Sequence, residues 1–297
     1  MNGATPTTFQ DAPGPGEAWP PLTWPGTQVR RLRAASGVQY RVSIWLPPGT
    51  PPPGGFPAFY VLDANALFGT FVEALRRSSR RPDATGIHPA AVIGIAHDGD
   101  ELFMEADRRR DFTMGQPAHE VVADAVGGAP AFLAFILDEL APQLRRELPL
   151  DGARQTLFGH SLAGHFVLQA LAARPGAFRT WAAISPSIWW DEAGLRAELT
   201  AALGPSARAA VADAPRVFMA AGEWEDAVPP WQRRHPGYEQ LVERRAQRHM
   251  VASARALADE LAAWLGSGRV VFRLFPEEDH ASIVMIAVQR VLRFASA

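Results

Sequence analysis

Two extended runs between residues 29 and 46, broken at Ser36-Gly37 and closed by Pro47-Pro48, predict an antiparallel hairpin near the start of the chain. After a Pro/Gly-rich loop at 47–55 the pattern changes. Short apolar runs at 58–62, 91–96, 156–158, 181–184, 216–221 and 270–275 alternate with longer amphipathic segments. Near-continuous apolar strands separated by helices are what a parallel sheet covered on both faces requires, because each strand is buried twice. Between 130 and 148 the residues Phe132, Phe135, Ile136, Leu140, Leu144 and Leu148 recur at helical spacing on one face, and Pro142 should kink that helix or start a new turn. A second amphipathic stretch over 238–265 runs through Met250, Ala254, Leu257, Leu261 and Leu265 and reads as one long helix ending before Gly266. The expected architecture is α/β: a mostly parallel central sheet with an N-terminal antiparallel hairpin and helices on both faces. It occupies one domain over 29–297, preceded by a Pro/Gly-rich leader at 1–28.

Composition narrows the chemistry. The 297 residues are 47% hydrophobic and 20% charged with a formal net charge of −2, which suits a globular chain and argues against disorder or a phosphate-backbone partner. Cysteine is absent, which excludes disulfides, thiolate metal sites and cysteine nucleophiles. Every one of the 29 basic residues is arginine, so Schiff-base and phosphate-loop lysines are excluded too. No charge-free apolar stretch is long enough to span a bilayer, and the opening residues lack the basic-then-apolar order of a signal peptide. The expected address is the cytoplasm, or the periplasm if a leader has been removed, with no membrane or nucleic-acid partner.

In a parallel α/β sheet the reactive crevice lies beyond the carboxyl ends of the strands. The third of the short apolar runs ends in Gly159-His160-Ser161-Leu162-Ala163-Gly164, the fifth in Gly222-Glu223-Trp224-Glu225-Asp226 and the sixth in Pro276-Glu277-Glu278-Asp279-His280. Serine, acid and histidine therefore follow one another in the order used by α/β-hydrolases. The G-x-S-x-A run is a weak signal alone in a chain this rich in Gly and Ala. Its position between a strand and a helix makes Ser161 the expected nucleophile, with His280 as general base. Glu225 is the first choice for the acid, Asp226 and Glu223 stay open, and so does a dyad without a functional acid. Expected oxyanion donors are the backbone N–H of Leu162 and one from Ala64 or Asn65. His160 and His165 flank the serine without a third ligand nearby, so no metal is expected.

The runs FYVLDANALF, GHSLAGHFVLQAL, ISPSIWWDE, GEWED and EEDHASI, with GGAPAFLAFILDEL between them, closely resemble the Putative esterase family of α/β-hydrolases. The likeness extends from about residue 27 to the C-terminus. It is best to the branch of ferric catecholate trilactone siderophore esterases, of the enterobactin, salmochelin and bacillibactin types. The resemblance implies a serine esterase that needs no cofactor and takes a small-molecule ester, with any iron arriving as part of the substrate. By it, Ser161 is the nucleophile, His280 the base and Asn65 with Leu162 the oxyanion amides. Arg108 matches the arginine that lies near the anionic ligand, although pairing with Asp107 or Asp111 would account for it equally well. Trp189 and Trp190 are candidates for stacking on ligand rings, or for the core. General carboxylesterase and acyltransferase activities use the same machinery and remain alternatives. Two glycines of the family pattern read as Ala64 and Ala163 here, which implies less room above the serine.

Overall fold

The structure, a computed structural model, describes residues 23–119, 121–207 and 214–297. The expected hairpin is present: β1 (Thr27–Arg33) pairs antiparallel with β2 (Gln39–Trp45), and Gly37 supplies the left-handed turn residue at φ 88°. Next come β3 (Phe56–Leu62), β4 (Ala91–His97), β5 (Leu150–His160), β6 (Thr180–Ile184), β7 (Arg216–Gly222) and β8 (Val270–Phe275). They form one sheet in the order β1-β2-β4-β3-β5-β6-β7-β8. β2 runs antiparallel to β4, and every pair from β4 to β8 is parallel. The helices are α1 (Ala64–Ser78), α2 (Pro82–Thr85), α3 (Glu105–Asp111), α4 (Ala129–Ala134), α5 (Ala141–Glu147), α6 (Leu162–Ala173), α7 (Glu192–Leu203), α8 (Tyr238–Arg248), α9 (Met250–Leu265) and α10 (Ile283–Ser296).

Strand side chains alternate between two cores, as a pleated sheet demands. Phe59, Val61, Ala182, Ile184, Phe218 and Ala220 pack with α1 and α10 on one face. Tyr60, Leu62, Leu157, Ala183, Val217 and Met219 pack with α6, α7 and α9 on the other. Each large apolar side chain removed from water this way contributes roughly 1.5–3 kcal/mol, which explains why the central strands carry almost no polar residues. Among the described residues no helix is long and apolar enough to cross a membrane.

The helix expected to kink or restart at Pro142 does so, and the single helix expected over 238–265 needs correction. The stretch from 130 to 148 is two helices, α4 and α5, joined by a π-helical turn over Phe135–Leu140. Pro142 has no N–H to offer the carbonyl four residues earlier, and the wider turn absorbs that lost bond. The stretch from 238 to 265 breaks at His249, which adopts φ 44°. The apolar stripe belongs to α9 alone, where Met250, Ala254, Leu257, Ala258 and Leu261 are buried, whereas α8 buries none of its residues. Of the expected leader, residues 1–22 lie outside the described ones. Trp24 packs against α1 so closely that a methyl at Gly69 would stand 3.1 Å from its ring.

Candidate active site

Strand β5 leads into α6 through Ser161, whose backbone sits at φ 60°, ψ −121°. Such a conformation is costly for a residue with a Cβ and needs close packing around it. Gly159 provides that packing, because a methyl there would collide with the carbonyl of Ala163. The Ser161 N–H donates to Ile184 O at 2.9 Å, so β6 also holds the turn. The serine hydroxyl is thereby fixed above the sheet at the N-terminus of α6.

His280, in the loop after β8, brings Nε2 to 2.9 Å from Ser161 Oγ. Its Nδ1 lies 2.8 Å from Oε2 of Glu225, whose side chain is buried. The other oxygen of Glu225 accepts the Gly222 N–H at 2.6 Å and the Ser185 hydroxyl at 2.5 Å. These bonds point the carboxylate at the imidazole and leave it little freedom. The neighbouring acids do other work. Asp226 accepts the N–H groups of Val251 and Ala252 at 3.0 and 3.1 Å, capping the first turn of α9, and Glu223 accepts the Glu277 N–H at 2.7 Å. The His160 ring lies 4.6 Å from that of His280, centre to centre. Burial, with His280 beside it, holds His160 well below the ordinary histidine value, so this neighbour stays uncharged. Among the described residues no group of three His, Asp or Glu could hold a metal ion.

The backbone N–H groups of Asn65 and Leu162 each stand in the first turn of a helix, and neither has an acceptor among the described residues. Helix N-termini of this kind are suited to developing negative charge. The Asn65 side chain is otherwise engaged: it accepts from Arg41 and donates to the carbonyls of Gly99 and Glu101. The expected crowding by Ala64 and Ala163 is not observed. Both residues are buried, neither lines the cavity over the serine, and the Ala64 methyl rests against Gly94 of β4.

Arg108 departs most from expectation. It is 6% exposed, and its guanidinium forms a two-pronged pair with buried Asp63, Nε to Oδ1 at 2.9 Å and Nη2 to Oδ2 at 3.1 Å. Nη1 reaches Glu105. Its partners are therefore neither Asp107 nor Asp111, both of which bind Arg110. The fork that would grip a ligand anion is closed on the residue directly before helix α1. Asp63 itself adopts φ 52°.

A cavity of about 360 Å³ opens over Ser161 and His280. Trp189 and Trp190 form part of its wall. Trp190 is buried and donates Nε1–H to Gly115 O at 3.0 Å, while half-buried Trp189 carries the Arg248 guanidinium over its ring at 4.2 Å. Five arginines line the cavity: Arg108 and Arg109 from α3, and Arg244, Arg245 and Arg248 from α8. The α8 residues went unnoticed in the sequence, although Arg244 and Arg248 are one helical turn apart and so share a face.

Comparison with known proteins adds the following. The family model described as "Putative esterase" matches residues 34–264. The ferri-bacillibactin esterase BesA of Bacillus subtilis (strain 168) is 36% identical over 285 residues, 92% of this chain and 91% of the relative. The siderophore triacetylfusarinine C esterase of Aspergillus fumigatus is 31% identical over 247 residues, 80% and 81% of the two chains. Among solved structures, the siderophore hydrolase EstA from Aspergillus nidulans superposes with a TM-score of 0.79 at 27% identity, covering 94% of this chain and 98% of that one.

Proposed function

The chain belongs to the Putative esterase family and is a carboxylic ester hydrolase, and from that premise we propose that Ser161, His280 and Glu225 act as a triad cleaving the ester bonds of ferric catecholate trilactones. Ser161 Oγ attacks the ester carbonyl as its proton passes to His280 Nε2. Glu225 holds the imidazole with Nδ1–H facing the carboxylate and stabilises the cation that forms. The N–H groups of Asn65 and Leu162 receive the oxyanion, each such donor contributing about 3 kcal/mol to lowering the barrier. His280 then protonates the departing alkoxide. Water, activated by the same imidazole, releases the acyl group and restores the serine.

The substrate class rests on one observation, the cluster of Arg244, Arg245 and Arg248 that α8 brings to the cavity holding the Ser161–His280 pair. Arg244 is exposed there and has no ion pair among the described residues, so its charge is available to a ligand. Planar guanidinium groups suit catecholate oxygens, and Trp189 offers a face on which a ligand ring can stack. A small neutral acyl ester would use none of these charges.

The test is hydrolysis of an iron-loaded trilactone, the iron-free trilactone and a short neutral aryl ester, with products identified by mass spectrometry and a phosphonate label mapped by peptide analysis. The expected result is highest kcat/KM on the iron-loaded trilactone and labelling at Ser161. Preference for the aryl ester would overturn the substrate class. Labelling elsewhere would overturn the triad.

A further inference from the structure

Ser187 is a buried hydroxyl in the turn after β6, at the cavity wall, and its role is not accounted for by the triad. Its Oγ lies 3.4 Å from Ser161 Oγ, and among the described residues that is its side chain's one hydrogen-bonding partner. The placement is fixed by main-chain bonds. The Ser187 N–H donates to Ser161 O at 3.0 Å, and the Trp190 N–H donates to Ser187 O at 3.1 Å. Helix α6 packs tightly on the same turn, since a methyl at Gly164 would stand 3.1 Å from Pro186 Cα.

The direction of this hydroxyl contact follows from its neighbours. Glu225 is an acceptor, so the proton of His280 is on Nδ1 and Nε2 must accept. The Ser161 O–H therefore donates to Nε2, and its lone pair is what remains for Ser187. Ser187 donates to the nucleophilic oxygen.

Resting on the triad reading above, we infer that Ser187 is a catalytic residue that stabilises Ser161 Oγ as it leaves the acyl-enzyme. In that step water adds to the acyl carbonyl and gives a proton to His280 Nε2. The carbon–Oγ bond then breaks, its electron pair goes to Oγ, and the His280 proton follows it. Ser187 keeps its own proton throughout and only strengthens its hydrogen bond as charge gathers on Oγ. The ester oxygen of the acyl-enzyme is a poorer acceptor than a free hydroxyl, so the bond is gained during deacylation, whereas before acylation it already exists.

Removal of the hydroxyl should therefore slow deacylation by roughly tenfold, the rate equivalent of one hydrogen bond strengthened by charge, and acylation much less. The experiment is stopped-flow hydrolysis of a short p-nitrophenyl ester, with intact-mass detection of the acyl-enzyme, on wild type, Ser187→Ala and Ser187→Thr. Ser187→Ala should give a burst of one product per site, a slow steady state and accumulated acyl-enzyme. Ser187→Thr, which keeps the hydroxyl, should restore most of the turnover. Unchanged rates in Ser187→Ala, or equal losses in both steps, would overturn the inference. Phosphonate labelling of wild type separates the two readings: no label at Ser161 removes the triad, while label at Ser161 with an unaltered Ser187→Ala removes only this role.

Discussion

His280 Nε2 stands 2.9 Å from Ser161 Oγ across 119 residues of sequence. No local interaction could create this contact; it depends on β8 lying two strands beyond β6 and delivering its loop to the edge where β5 ends.

If that pair performs the chemistry, Ser161→Ala should lower kcat by about 10⁴-fold or more on any ester. The fold should survive, because the Ser161 main-chain bonds to β6 do not involve the hydroxyl. Relief of backbone strain is small for an alanine, which has a Cβ of its own. Steady-state kinetics and a thermal melt check both halves of this expectation.

Two adjacent acids, Glu225 and Asp226, give separable outcomes. Glu225→Gln keeps the shape but removes the charge facing Nδ1, and should cost about 10²–10⁴-fold in kcat. Asp226→Ala should leave kcat nearly unchanged and lower stability by about 1 kcal/mol through loss of the α9 cap. Urea melts together with kcat values for the two variants distinguish these roles.

Arg108→Ala should not act as the loss of a substrate anchor. It leaves Asp63 buried without a partner, and stability should fall by about 3 kcal/mol or more. Because Asp63 precedes the Asn65 amide, kcat/KM should fall by similar factors on neutral and anionic esters. A selective loss on the anionic ester would show that Arg108 reaches substrate after all.

His165 provides a pH dependence of stability. It is fully buried, neither ring nitrogen has a hydrogen-bond partner among the described residues, and burial lowers its pKa to about 4. The unfolded chain, with an ordinary value near 6.5, binds more protons across this window, so stability falls as pH drops from about 6.5 to about 4. The loss is about 3 kcal/mol for this one group. His165→Leu should flatten the slope measured by denaturant melts over that range. His160, also held neutral by burial, should leave a residual slope of the same sign.

The hairpin, the alternation of strands and helices, and the positions of Ser161 and His280 at strand ends are legible in the sequence. Periodicity, turn residues and chain order are local properties, and each strand announces its burial through its own composition. The break at His249 was not legible, because Leu241 and Val242 continue a helical pattern and only the core decides which half of the stretch it accepts. The same limit applied to the site. Glu223, Glu225 and Asp226 are chemically alike and nearly contiguous, yet a tight turn sends their carboxylates to Glu277, His280 and the start of α9. Arg108 found distant Asp63 as well as Glu105 and neither Asp107 nor Asp111, and α8 brought its arginines over a serine from a distant strand. Sequence alone determined which reactive groups exist and which strand ends carry them. Tertiary structure alone decided which of those groups face one another, because side-chain direction in a turn and pairing between distant elements are set by sheet register and packing.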